Sequence, residues 1–303
     1  MQQLQYPSNP PMTVPQLSIA DLLHYATQQF AACGIESARL DAELLLAHVL
    51  GTDRLHLYRE PQQTLTQEQY AHFYELVNRR EQREPIAYII GEKEFWSLPI
   101  AVDRHVLIPR PETELLVETA LSRVKPLDDQ GCRVRILELG TGSGAVAIAL
   151  AKETTHAVII AADRSIAALR VAQKNILRHG YSRRVHLMCG DWLCPCAEKP
   201  LFYMIVVNPP YIPTCEIDTL APEIKNYEPR VALDGGADGL DFYRSWIPVL
   251  PRLLLPGGWV IVEMGQGQAS RIIEMYRQSH HYAKLSTIKD YASCERILIA
   301  QLR

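Results

Sequence analysis

Apolar positions in the N-terminal part of the chain recur at helical spacing. Ile19, Leu22, Leu23, Ala26 and Phe30 line one face of a helix, with Ser18 before them as N-cap and Asp21 in the first turn. A run rich in Leu and Ala from Ala38 to Leu50 predicts a second helix that stops at Gly51. Thr66 and Gln69 have the spacing of a capping box and open a third, carrying Tyr70, Phe73 and Val77. This is a small all-helical domain, with no residue pattern in it that points to catalysis.

The pattern then changes. Ile86 to Ile90 is a short β-prone run after Pro85, Gly91 to Glu94 can turn, and Phe95 to Val102 extends again, which predicts a β-hairpin. Ile108-Pro109-Arg110-Pro111 breaks the chain before a helix beginning near Glu112. From Val134 onward strands and helices alternate. Strands are expected at Val134–Leu139, Val158–Ala162, Val185–Cys189, Tyr203–Val207, Trp259–Glu263 and Arg296–Gln301, and helices at Ala145–Ala151, Ser165–Arg178 and near Asp241–Leu255. Such alternation predicts an α/β domain with a mostly parallel sheet covered on both faces. The organisation read here is a helical domain over 1–83, a hairpin linker over 84–105 and an α/β domain over 106–303. In such sheets ligands bind beyond the carboxyl ends of the strands, so chemistry is to be sought there.

The first expected strand runs into Gly140-Thr141-Gly142-Ser143-Gly144. Alternate glycines let the backbone turn tightly and approach a ligand with no Cβ in the way. Alone, such a turn is equally a tight strand–helix connection or a dinucleotide cradle. It lacks the GxGxxG spacing of a pyrophosphate site. Asp163 closes the next strand, where a carboxylate can accept from both ribose hydroxyls, and Asp191-Trp192 follows the third, offering an acid and an aromatic surface to adenine. Each has a plainer role open to it: Asp163 as a helix cap, Asp191 as a turn former, Trp192 as core. Together, at three successive strand ends, they fit a nucleoside without phosphate, and hence S-adenosylmethionine.

The fourth strand ends in Asn208-Pro209-Pro210-Tyr211. Consecutive prolines fix the backbone and remove two donors, leaving carbonyls with no local partner. With the Asn208 side-chain carbonyl beside them, the acceptors suit a planar NH2 group, either a carboxamide or an exocyclic base amine. Asn208 and the Pro209 carbonyl can hold both N–H bonds and aim the nitrogen lone pair at a methyl donor, while Tyr211 packs against the flat group. Asn208, Pro209 and Tyr211 are the candidate catalytic residues, Pro210 completes the substrate site, and Asn208 also borders the cofactor. A rigid Pro-Pro corner capped by Asn208 is the plainer alternative.

Bulk properties narrow the partners. The 303 residues are 48% hydrophobic and 21% charged, ordinary for a soluble globular protein. A net charge of −3 argues against a protein whose main task is gripping nucleic acid, though it leaves a local basic face open. Met1 to Pro15 is polar and proline-rich, is expected to be disordered and has no export signal; no apolar run is long enough for a membrane span. Seven irregularly spread cysteines suit reduced thiols in a cytoplasm. The cluster of Cys189, Cys194 and Cys196 lacks the fourth ligand and clean CxxC pair of a metal site, so no metal is expected.

Several segments together resemble the release factor glutamine methyltransferases, the PrmC/HemK type. They are Glu84-Pro85-Ile86-Ala87-Tyr88-Ile89-Ile90-Gly91 with Phe95-Trp96, Leu107 to Glu114, Glu138 to Gly144, Asn208 to Tyr211, and Tyr227-Glu228-Pro229-Arg230-Val231-Ala232-Leu233. The resemblance covers nearly the whole chain and implies a class I (Rossmann-like) S-adenosylmethionine methyltransferase domain with a seven-stranded sheet, preceded by a helical domain that helps grip the substrate. The implied reaction methylates N5 of the glutamine in the Gly-Gly-Gln motif of class-1 peptide chain release factors, modulating translation termination, with S-adenosylhomocysteine as product. It further implies that Gly140 to Gly144, Asp163 and Trp192 bind the cofactor and that Asn208 to Tyr211 hold the glutamine. The enzyme is expected to be a cytoplasmic monomer needing no nucleic acid or membrane. Two departures stand out: Asp290 to Arg296 lacks the glycine-containing turn expected before the last strand, and the tail before Leu17 is long and proline-rich.

Asn-Pro-Pro-Tyr also occurs in adenine-N6 DNA methyltransferases, which need a basic groove and a base-reading region; the acidic balance and short helical first domain argue against that alternative. Another protein glutamine is separated only by the resemblance. A non-catalytic protein keeping the fold would typically have lost the glycine turn or the Asn-Pro-Pro-aromatic loop, and both are intact.

Overall fold

The computed structural model describes residues 17–190 and 200–303, in two compact units whose boundary falls between Ile90 and Gly91. The first unit is helical: α1 (Ile19–Ala32), α2 (Ala38–Leu50), α3 (Arg54–Arg59), α4 (Gln67–Glu81) and α5 (Ile86–Ile90). Both expected capping boxes form, Ser18 with Asp21 on α1 and Thr66 with Gln69 on α4. The apolar stripes meet in one core containing Ile19, Phe30, Leu45, Leu46, Phe73 and Val77. Inside it the Arg80 guanidinium donates to Asp41 at 2.8 Å, with both side chains no more than 5% exposed.

One expectation fails here. Ile86–Ile90 is helical, not extended. The Pro85 carbonyl accepts the amides of Tyr88 and Ile89 and closes a single turn, which buries Ala87, Tyr88 and Ile89. Burial in a helical unit overrides the weak local preference of β-branched residues.

The second unit begins with a hairpin, β1 (Glu92–Phe95) and β2 (Leu98–Ala101). Its turn is Trp96-Ser97 rather than the Gly91–Glu94 stretch expected from composition. Both turn residues sit at φ 53°, a left-handed conformation unusual for residues with a Cβ. Side chains hold it there. Glu114 accepts the Trp96 amide at 2.7 Å, Glu153 accepts the indole N–H at 3.0 Å, and Lys152 donates to the Trp96 carbonyl at 3.0 Å.

Then follow α6 (Thr113–Asp128), β3 (Arg135–Leu139), α7 (Ala145–Glu153), β4 (Val158–Asp163), α8 (Ile166–Arg178), β5 (Val185–Cys189) and β6 (Phe202–Val207). Next come α9 (Pro222–Tyr227), α10 (Asp241–Trp246), α11 (Leu250–Leu253), β7 (Leu254–Glu263), α12 (Ala269–Gln278), β8 (Tyr282–Lys289) and β9 (Glu295–Leu302). The single helix expected over Asp241–Leu255 is two short ones, because Pro248 and Pro251 each remove a helical donor.

The sheet has seven strands in the order β5-β4-β3-β6-β7-β9-β8. The first five are parallel neighbours, and β9 runs antiparallel between β7 and β8. This is the expected class I methyltransferase arrangement. The reversal of strand order beside β3 opens a crevice at its carboxyl end. Where a glycine turn was expected before the last strand, Ser293 adopts φ 63°. Asp290 Oδ1 accepts the amides of Ala292 and Cys294 at 3.0 Å each and stabilises that turn.

Candidate methyl-transfer site

Strand β3 delivers Leu139 into the glycine turn, and Gly140, Gly142 and Gly144 stand at φ 70°, 54° and 80°. All three are left-handed, which is why side chains are absent at alternate positions. Gly140, Thr141, Gly142 and Ser143 line a cleft of about 910 Å³. Gly144 instead faces α8, where an added Cβ would lie 3.2 Å from the Ala172 Cβ. The turn is braced from below. Buried Glu138 accepts the Thr141 hydroxyl at 2.7 Å. Burial pushes the Glu138 carboxyl up to about 8, against the opposing Thr141 hydrogen bond.

Asp163, at the end of β4, lines the same cleft. One carboxylate oxygen accepts the Gly142 amide at 2.9 Å and the other the Ser165 amide at 2.8 Å. Asp163 thus holds the glycine turn and the start of α8, and Ser165 rather than Asp163 caps that helix. Each oxygen keeps a second lone pair, so ribose hydroxyls can still be accepted. A carboxylate beside open glycine backbone can take the hydroxyls of a nucleoside. Asp191 and Trp192 lie outside the described residues, as do Cys194 and Cys196. Among the described residues no group of His, Cys, Asp or Glu is arranged to hold a metal ion, and Cys189 is an exposed free thiol.

Asn208 follows β6 and borders both this cleft and a neighbouring cavity of about 490 Å³. Pro209 and Tyr211 line the second cavity and not the first, whereas Pro210 lines the first. The four residues therefore form a partition with Asn208 in both walls. Its Nδ2 donates to the Thr113 hydroxyl at 3.1 Å. Among the described residues nothing donates to Asn208 Oδ1 or to the Pro209 carbonyl, so both acceptors expected from sequence are available. Burial pushes the Tyr211 phenol up to about 12, which keeps it neutral.

Several residues that support this loop carried no sequence signal of their own. Gln268 donates to the Tyr211 carbonyl at 2.9 Å and accepts the Gly265 amide at 3.0 Å. Behind the loop, Ile212 exchanges backbone hydrogen bonds with Leu233 and Gly235 at 3.0 and 2.8 Å. A Cβ on Gly235 would come within 2.9 Å of the Pro210 carbonyl oxygen and of Tyr211 Cα, so only glycine fits. Thr113 in turn donates to Glu263 at 2.8 Å.

Two segments that sequence marked only through resemblance acquire a physical role. Arg110 forms an ion pair with Glu228, whose other oxygen accepts the Ile108 amide at 3.2 Å. Burial pushes the Glu228 carboxyl upward, opposed chiefly by Arg110. The Ile108–Pro111 and Glu228–Arg230 segments are thereby tied together beside the first cleft, which Pro109, Arg110 and Pro229 line. Buried Asn175 on α8 makes a comparable link. Its Nδ2 donates to the carbonyls of Ala101 and Ser143 at 2.9 and 2.8 Å, and its Oδ1 accepts the Ala101 amide at 2.8 Å. The hairpin and the glycine turn are joined through this one side chain.

Residues 21–91 match the PrmC N-terminal domain family and residues 113–223 the Methyltransferase small domain family. The chain is 42% identical over 281 residues to a release factor glutamine methyltransferase of Geobacter sulfurreducens, covering 93% of this chain and 95% of that protein. It is 42% identical over 261 residues to a release factor glutamine methyltransferase of Thermodesulfovibrio yellowstonii, covering 86% and 91%. Among solved structures it is similar to the human Mettl16 catalytic domain bound to an RNA hairpin, at a TM-score of 0.51 and 12% identity, over 78% of this chain and 82% of that one. That likeness concerns the fold alone.

Proposed function

The chain belongs to the release factor glutamine methyltransferases, and from that premise we propose that it moves a methyl group from S-adenosylmethionine to N5 of the glutamine in the Gly-Gly-Gln motif of class-1 release factors. The observation that carries the reading is the pair of available acceptors, Asn208 Oδ1 on a residue that borders both the glycine-turn cleft and the second cavity, and the carbonyl of Pro209, which lines the second cavity.

When bound, S-adenosylmethionine supplies an electrophilic methyl on a sulfonium. The backbone of Gly140 to Ser143 and the Asp163 carboxylate hold the nucleoside, with Asp191 and Trp192 assigned to its adenine end. Asn208 and Pro209 bind the two N–H bonds of the glutamine carboxamide. A carboxamide nitrogen is a poor nucleophile because its lone pair is delocalised. Gripping both hydrogens orients that nitrogen toward the donor, and the two carbonyl dipoles stabilise the positive charge that grows on it. Pro210 and Tyr211 pack the flat group, and the neutral Tyr211 phenol avoids placing an anion there.

The helical unit is assigned to recognition of the release factor. Leu55 and Tyr58 on α3 are 60% and 59% exposed, apolar surface that a protein partner can cover. No helix among the described residues is long and apolar enough to cross a membrane. The setting proposed is a cytoplasmic monomer acting without nucleic acid.

The test is incubation with S-adenosylmethionine and an unmodified class-1 release factor, followed by peptide mass spectrometry. One added methyl on the Gly-Gly-Gln glutamine is expected. Cofactor binding with no methyl at that residue would overturn the substrate assignment.

A further inference from the structure

Asn208 can serve as an acceptor only if its amide is turned the right way. The amide is symmetric in shape, and a half-turn about its last bond exchanges oxygen for NH2. Something must choose, and three elements converge on the choice. Thr113 opens α6, Asn208 follows β6 and Glu263 closes β7, the latter two separated in sequence from Thr113 by 95 and 150 residues. The Thr113 hydroxyl lies 2.8 Å from Glu263 Oε2 and 3.1 Å from Asn208 Nδ2. Thr113 and Glu263 are 5% and 1% exposed, so water is a poor substitute for either bond.

We infer that Thr113 and Glu263 are positioning residues that set the polarity of the Asn208 amide and so present Oδ1 to the substrate NH2. The logic is a count of protons. A hydroxyl has one proton, and a carboxylate can only accept. With Glu263 ionised, the Thr113 proton must point at it, leaving Thr113 able only to accept from its other neighbour. Asn208 then has to offer its NH2 to Thr113, and Oδ1 is left facing the site. The reversed amide would set two buried acceptors against each other, at the full cost of unpaired polar groups. The relay rests on the reading of Asn208 given above, and it assigns parts to two residues that need not touch the substrate.

The same count makes the relay sensitive to protonation. A protonated Glu263 would donate to Thr113, Thr113 would donate to Asn208, and the amide would turn its NH2 toward the substrate. Burial pushes Glu263 up to about 7, opposed by the Thr113 hydrogen bond and Arg296, with Glu112 raising and Arg110 lowering it further. Among the described residues these groups, with Tyr211 on the loop after β6 and Tyr243 on α10, are the titratable and charged ones that face it. Turnover should therefore rise with pH through neutrality.

The test compares Thr113→Val, Thr113→Ser and Glu263→Gln in the full chain, using an intact release factor and S-adenosylmethionine. Thr113→Val is expected to lower kcat about 10²-fold with KM and cofactor Kd changed less than about twofold, and Thr113→Ser to recover most of that loss. Glu263→Gln should flatten the acid limb between about pH 6 and 8. A Thr113→Val enzyme with unchanged kcat, a loss that serine does not repair, or an acid limb that survives Glu263→Gln would overturn the relay. Asn208→Ala separates the two levels. If it abolishes methylation with cofactor binding intact while Thr113→Val is fully active, only the relay falls. If Asn208→Ala methylates normally, the reading of the site falls with it.

Discussion

Asn175 carries more of the site than its position on a helix suggests. Its side chain is fully buried and commits both amide protons and one Oδ1 lone pair to the end of β2 and to the glycine turn, with bonds of 2.8 to 2.9 Å to Ala101 and Ser143. Asn175→Ala removes three hydrogen bonds and strands an amide and two carbonyls where water has little access. At about 1 kcal/mol per bond plus part of the desolvation cost of the orphaned groups, the loss is about 3 to 5 kcal/mol. For a unit of this size that lowers Tm by roughly 6 to 20 °C. Because Ser143 belongs to the glycine turn, cofactor affinity should fall as well. Asn175→Asp conserves volume but sets an acceptor against both carbonyls, so it should be at least as unstable as Asn175→Ala at neutral pH. It should improve relative to Asn175→Ala on acidification, when the carboxyl regains one donor. Urea unfolding followed by circular dichroism gives the stability and calorimetry the affinity. An Asn175→Ala protein within about 1 kcal/mol of the parent and with the same cofactor Kd would refute the linkage.

Three further perturbations test other joints. Asp128 accepts the amides of Thr155, His156 and Ala157 at 2.7, 2.7 and 3.0 Å, and although burial works upward these donors hold its carboxyl below the usual range. A depressed carboxylate stabilises above its unfolded value and loses that contribution as pH falls through the folded one, so Asp128→Asn should cost about 1 to 3 kcal/mol at neutral pH and progressively less below about pH 4, read from denaturation midpoints. Asp163→Ala removes both the brace on Gly142 and the proposed ribose acceptor; S-adenosylmethionine Kd should rise about 10- to 100-fold by calorimetry, and an unchanged value would reject both roles. Leu55→Asp, on the exposed face of α3, should raise KM for the intact release factor several-fold, about 1 kcal/mol, with cofactor Kd unaffected; equal KM would move recognition elsewhere.

The parts legible in the sequence were those whose cause is local. Capping boxes at Ser18 and Thr66 are fixed by residues three apart, and the strands β4 and β6 by continuous apolar runs. The glycine turn was legible because left-handed backbone leaves its mark directly in residue type. What stayed hidden depends on distant partners. Trp96-Ser97 turns without glycine because Glu114, Glu153 and Lys152 hold it, and none of these is near in sequence. Strand β8 escaped detection because it is an edge strand whose outward positions are polar and whose inward face is only partly covered, so neither a continuous apolar run nor clean alternation marks it. Ile86–Ile90 was misread because a single helical turn is too short for its period to show.

The site divides along the same line. Groups proposed to touch substrate or cofactor sit in short motifs, since a strand end can place consecutive residues around a ligand. Groups that orient them come from elsewhere, because a side chain is held in one rotamer only by atoms that approach it from other elements. Glu263, Gln268, Asn175 and Glu228 each fix a motif residue or its backbone from an element distant in sequence. Their residue types are unremarkable, and their meaning appears only when a hydrogen is counted to its acceptor. A motif search therefore finds the acceptors at Asn208 and Pro209, and Thr113 within the Leu107 to Glu114 segment, but not Glu263, which fixes Thr113. Since an amide facing the wrong way offers a donor where an acceptor is needed, the two sets of residues are chemically inseparable although they are separate in the chain.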